Sequence, residues 1–187
     1  MPVSLPNSVT SNNGVAKLDF QLTPHQQISY DYFYGLQRGT AMTINVLQPQ
    51  FLTLMGQRVQ TNGLHWTWNP NPSWVNDFRA GYDRFQQGLP ATEPVDFTKS
   101  AASYGVPTGV TNPLLGGLPD FFVSGFSMLG GDFVLPKVLG PNYNYEVDDT
   151  VSYLHGNHYF TFGLQEQHWI VNAARFANGR GRLKYKG

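Results

Sequence analysis

The run Val15-Ala16-Lys17-Leu18-Asp19-Phe20-Gln21-Leu22-Thr23-Pro24-His25-Gln26-Gln27-Ile28-Ser29-Tyr30-Asp31-Tyr32-Phe33-Tyr34 decides the fold class. Ala16, Leu18, Phe20 and Leu22 share one parity, and Lys17, Asp19 and Gln21 share the other. A strand sends alternate side chains to opposite faces, so this pattern predicts a strand with one greasy and one polar side. Thr23-Pro24-His25-Gln26 supplies turn chemistry. The pattern then resumes with Ile28, Tyr30, Tyr32 and Tyr34 against Ser29 and Asp31. The two runs read as a β-hairpin.

The same plan recurs twice downstream. Leu64, Trp66 and Trp68 alternate with Gly63, His65 and Thr67, and beyond a break at Asn69-Pro70-Asn71-Pro72-Ser73 the residues Phe78, Ala80 and Tyr82 oppose Asp77, Arg79 and Asp83. The break is predicted because proline cannot donate to a ladder. A third hairpin sets Tyr143, Tyr145, Val147, Val151 and Tyr153 on one side, turns at His155-Gly156-Asn157, and returns through Phe160, Phe162 and Leu164 against Thr161, Gly163 and Gln165. A short last strand alternates Leu183 and Tyr185 with Arg182, Lys184 and Lys186.

Composition agrees with a turn-rich β chain. The 187 residues include 20 Gly and 13 Pro, 14% are aromatic, and only 13% are charged. So many aromatics and no net charge exclude a disordered chain, and 12 Lys+Arg against 12 Asp+Glu disfavour nucleic acid as a partner. Without cysteine there is no disulfide framework, thiolate nucleophile or cysteine-type zinc site. No run of 18 apolar residues is present to make a transmembrane helix.

The connections are predicted to alternate in length. Turns inside hairpins are short, whereas 36–57, 86–142 and 169–179 are long, so all the long loops leave one edge of the sheet. The expected fold is therefore all-β, an antiparallel meander of about seven strands. It forms a curved partial β-barrel wall with short turns on one edge and long loops on the other. Residues 1–187 are read as one such domain, with an irregular leader over 1–13 and an extracellular-type loop over 86–142. Outer-membrane barrels sort their loops in this way, and their strands need ~9–11 residues each. On that reading Phe20, Tyr30, Tyr32, Trp66, Phe78, Tyr82, Tyr153 and Phe162 face lipid. Lys17, Asp19, Asp31, Asp77, Arg79 and Asp83 face a hydrated lumen. Alternation alone leaves the opposite packing open, as in a soluble β-rich module holding a carbohydrate or lipid, or a small self-contained eight-stranded barrel that recruits Phe121–Phe126.

Several segments resemble Oar-like TonB-dependent receptors. Trp74-Val75-Asn76-Asp77-Phe78-Arg79-Ala80-Gly81-Tyr82-Asp83-Arg84-Phe85 is similar to that family's "LVNEFRFGYNRF" strand. Thr108-Gly109-Val110-Thr111-Asn112-Pro113 with Gly117-Leu118-Pro119 resembles its "TGVTDP…GLP" loop, and Val123-Ser124-Gly125-Phe126-Ser127 with Leu129-Gly130 resembles "ISGFSNLG". Asp148–Tyr153 followed by Gly156–Gly163 resembles "FSDNVSYTRGKHSFKFG", and Arg175–Gly181 ends in the family's "GRG". The resemblance runs in order from about Gly14 to the C-terminus. It implies a segment of a transporter barrel in the outer membrane of a Gram-negative bacterium, with substrate uptake as its role. It implies as partners outer-membrane lipid, the remainder of the barrel and its plug, TonB through a missing N-terminal region, and an unknown small substrate. The opening Met1-Pro2-Val3-Ser4-Leu5 has neither the basic nor the apolar region of a signal peptide.

No catalytic motif stands out, and the expectation is no enzyme, no cofactor and no metal. His155, His158 and His168 read as polar turn and loop residues, because a metal needs further ligands and partners to fix the rings. Asp148 and Asp149 are adjacent, so as strand residues they point to opposite faces and cannot act as a carboxylate pair. Glu93 and Asp96 read as solvated loop charges. The run Arg175, Arg180, Arg182, Lys184 and Lys186 reads as a lumen-facing basic row.

Overall fold

The computed structural model describes residues 8–41, 53–89, 99–130 and 137–186. Six long strands form the main sheet: β1 (Val9–Thr23), β2 (Gln26–Ala41), β3 (Thr53–Asn71), β4 (Trp74–Leu89), β7 (Lys137–His155) and β8 (His158–Ile170). They pair in chain order, each antiparallel to the next, as a meander. The expected all-β wall is therefore present, and among the described residues it stays open, with β1 and β8 as its edges. Among the described residues no helix is long and apolar enough to cross a membrane, which says nothing of strands.

Three turns join the hairpins, and each has only two residues between strands. In the first two, proline presets the second position and the residue before it caps the turn. Thr23 Oγ1 accepts from the His25 N–H at 3.2 Å, and Asn71 Oδ1 accepts from the Ser73 N–H at 3.0 Å. The third places Gly156 at a φ of 58°, which a side chain would disfavour. Backbone bonds tie neighbouring turns together, from the Asn69 N–H to His25 O and from the Leu154 N–H to Ser73 O, both at 2.8 Å.

The strands outrun the alternation that predicts them. They span 15, 16, 19, 16, 19 and 13 residues, and the excess lies toward the long connections. The predicted boundaries change accordingly, and the 36–57 connection narrows because β2 runs to Ala41 and β3 starts at Thr53. The supposed leader over 1–13 is already strand from Val9, and the 86–142 loop loses residues to β4 and β7 at its two ends. The break at Asn69–Ser73 shrinks to Pro72-Ser73, because β3 passes through Pro70. It can do so because the β3–β4 register jumps from Trp68 to Asn71, which leaves Pro70 without a ladder bond to make.

The last short strand is not part of the wall. Two minor strands, β5 (Asp120–Val123) and β6 (Leu129–Gly130), lie in the connection from β4 to β7. Strand β9 (Ala173–Arg175) pairs with Lys137–Leu139 of β7. Strand β10 (Arg182–Tyr185) pairs in parallel with β5, giving a separate sheet in the order β10-β5-β6. The expected lumen-facing basic row is thereby overturned. Arg182 Nε lies 2.8 Å from Asp120 Oδ2, and Arg180 is buried. Likewise, the segment from Phe121 contributes to this small sheet rather than to an eighth wall strand.

Buried apolar side chains are scarce. Among the described residues Ala101, Pro119 and Met128 qualify, and all three belong to the long connection. Among the described residues the wall has no apolar core on either side. Phe20 is 55% exposed and Phe162 64%.

Candidate functional site

The cross-strand register sorts the wall into two faces. One row across the sheet runs Leu18, Tyr30, Leu64, Ala80, Val147, Glu166, and the next runs Phe20, Ile28, Trp66, Phe78, Asp149, Leu164. Rows of the other parity include Lys17, Asp31, Gly63, Gly81, Glu146, Gln167 and Asp19, Ser29, His65, Arg79, Asp148, Gln165. All six polar candidates therefore share one face, and all eight aromatic candidates share the other.

Two clusters of rings mark the ends of the aromatic face. Near the tight turns, Trp66 stacks on Trp68 at 6.2 Å, and Trp74 meets Tyr153 at 5.3 Å. Toward the long connections Tyr82 lies 6.2 Å from Tyr143 and 5.1 Å from Tyr145. The Tyr30 hydroxyl donates to Asn62 Oδ1 at 2.7 Å, and Arg84 donates to Gln60 Oε1 at 3.1 Å, so polar tips gather at this second level. At ~3.4 Å per residue, Tyr143 and Tyr153 are about 34 Å apart along the strand. A strand tilted ~40° converts that to about 26 Å of height, close to the ~25 Å apolar band of a membrane barrel.

The polar face is built around two glycines. Gly63 pairs with Gly81 across β3 and β4, and the missing side chains leave a depression of about 410 Å³. Asp31, His65, Arg79, Glu146, Asp148 and Gln165 stand around it. A Cβ on Gly63 would meet nothing within 4 Å, so the hollow comes from the absence of side chains rather than from crowding. Asp77 organises its basic side. One carboxylate oxygen lies 2.6 Å from His65 Nε2, and the other 2.9 Å from Arg79 Nε. Gln165 Nε2 donates to Glu146 Oε1 at 2.7 Å, and Thr150 Oγ1 donates to Asp148 Oδ1 at 3.4 Å. Lys17 is 3.7 Å from Asp19, and Asn144 donates to Asp83 at 3.5 Å.

His65 and Gln165 already stand in the polar phase of their strands by alternation, though not among the six lumen candidates; Glu146 and Asp148 join them on that face by the same parity. The glycine floor could not be read in this way, because it depends on which residues of β3 and β4 come level. Asp148 and Asp149 do point to opposite faces, and Asn76 Nδ2 donates to Asp149 Oδ1 at 2.6 Å on the aromatic side. His155 and His158 pair beside their turn, whereas His168 pairs with Tyr145, ten residues back along β7 from His155. Glu93 and Asp96 lie outside the described residues.

A family model described as "Outer membrane beta barrel domain" matches residues 3–187. No curated protein and no solved structure matches the chain.

Proposed function

Given that the chain belongs to the family of outer-membrane β-barrel domains, we propose that it forms wall of a TonB-dependent transporter that takes substrate across the outer membrane. On this reading the aromatic face contacts lipid, and the polar face with its glycine-floored depression lines the interior. The six wall strands supply part of a barrel that in such transporters has about 22. Remaining strands complete the ring, a plug occupies the interior against Asp31, Asp77, Arg79 and Asp83, and TonB energises release of a small substrate.

The observation that supports this best is the pairing of an uncovered aromatic face, ringed at two heights, with a charged face on the same sheet. A packed soluble module would bury its apolar side. Here Phe20, Phe162 and Leu164 remain more than half exposed among the described residues. The resemblance of five consecutive segments to Oar-like receptors supports the finer assignment.

Cross-linking of the full-length protein to TonB in intact cells tests the transport role. A TonB adduct that disappears when the energised membrane potential is collapsed is the expected result. A protein that inserts in the outer membrane yet never contacts TonB sinks the transporter assignment and leaves a structural barrel.

A further inference from the structure

The two ends of the aromatic face differ in charge. Toward the long connections Arg84 stands in the row of Tyr34, Gln60 and Tyr143. Arg58 stands in the next row with Leu36 and Gln86, and Arg38 in the one beyond, opposite Gly56. No carboxylate shares these rows among the described residues. The fourth arginine of the wall strands, Arg79, lies on the polar face beside Asp77. Toward the tight turns the same face carries Trp68, Trp74, Tyr153 and Phe160 and has neither lysine nor arginine.

The three arginines form a diagonal. Each lies one strand over and two residues farther along than the last, so neighbours are ~7–8 Å apart. Strands β2, β3 and β4 each have a wall strand on both sides, so the patch is not an artefact of an open edge. Among the described residues none of the three is in an ion pair, and Arg84 donates only to Gln60 Oε1 at 3.1 Å. Guanidinium groups this close repel one another, and an anion set among them reverses the sign of that interaction.

Depth says which anion. Arg84 is in register with Tyr143, where the apolar band ends, and Arg38 lies two rows farther, about 14 Å along the strand. That interval is the layer of lipid headgroups, on the side to which outer-membrane barrels send their long loops. Resting on the reading that the aromatic face points outward, we propose that Arg38, Arg58 and Arg84 bind the phosphate of an anionic lipid in the outer leaflet. Guanidinium meets two phosphate oxygens at once, which a choline or ethanolamine headgroup does not reward in the same way because its own cation is repelled. The acyl chains then run down the apolar rows of the same face, past Tyr82 toward Leu64, an anchorage that free phosphate lacks.

Native mass spectrometry of the full-length protein in neutral detergent tests this, with phosphatidic acid, phosphatidylcholine or inorganic phosphate added. The parent should retain phosphatidic acid in preference to phosphatidylcholine. Arg58→Gln with Arg84→Gln should weaken that retention about fivefold per arginine removed, with heat-modifiable migration unchanged. Equal retention of the two lipids, or no loss in the double variant, overturns the site. Displacement of phosphatidic acid by an equal concentration of inorganic phosphate overturns the lipid as occupant in favour of the free anion. The outward reading is checked apart from this, because the chain has no cysteine and Leu64→Cys provides a single label lower on the same face. In outer membranes a lipid-soluble maleimide should label it. Labelling by a water-soluble maleimide alone overturns the outward reading, and this proposal with it.

Discussion

The six-stranded wall and the small β10-β5-β6 sheet reach stability by different routes. The wall leaves its apolar side chains uncovered and buries almost nothing. The small sheet encloses Pro119 and Asp120, the two largest fully buried side chains, and holds Asp120 against Arg182. Both regions leave apolar side chains uncovered, Phe122 and Leu129 in the small sheet among them, but only the small sheet seats a buried carboxylate against an arginine. Damage to either should therefore leave the other standing.

The strongest way to break that contrast is Asp120→Ala. Removing one member of a buried pair costs about 3–5 kcal/mol, because the remaining charge loses its partner. Limited proteolysis should cut within 99–130 while the wall keeps its heat-resistant migration. If the wall unfolds as well, the two regions are one cooperative unit. Phe78→Arg tests the converse, since a cation at mid-height of a lipid-facing strand costs about 2–4 kcal/mol. Urea titration in lipid vesicles should show that loss, and a variant as stable as the parent would mean that Phe78 does not meet lipid. Gly156→Ala should cost about 1–2 kcal/mol, because φ at that turn is 58° and a side chain is strained there. The same titration reads it, with no change expected in cleavage of the small sheet. Asp77→Asn should shift wall stability by less than ~1 kcal/mol, since Arg79 is 63% exposed and water screens the pair. A larger loss would show that the polar face is drier than its exposure suggests.

Much of the wall was readable from parity. The three hairpins, the turn positions within a residue or two, and the division of Phe20, Tyr32 and Phe78 from Asp31, Asp77 and Arg79 all follow from alternation. What escaped was set by contacts distant in sequence. The pairing of Arg182–Tyr185 with Asp120–Val123 joins residues about sixty positions apart, and a four-residue alternating strand carries no mark of its partner. Pro70 misled because its effect depends on a register jump that only the neighbouring strand reveals. Glu166 sits in the apolar phase of β8 and breaks a pattern otherwise kept by Phe160, Phe162 and Leu164. It is visible in the sequence, but its depth appears only once β7 fixes the row.

The meander also has an arithmetic property. Each tight turn joins two strands whose other ends both return to the opposite rim, so a hairpin is the smallest piece that can be added or lost without inverting its neighbours. Circumference can then grow by duplication in steps of two strands, with every inherited loop kept on its original side. A lineage could widen or narrow such a ring while the orientation of every older segment survived.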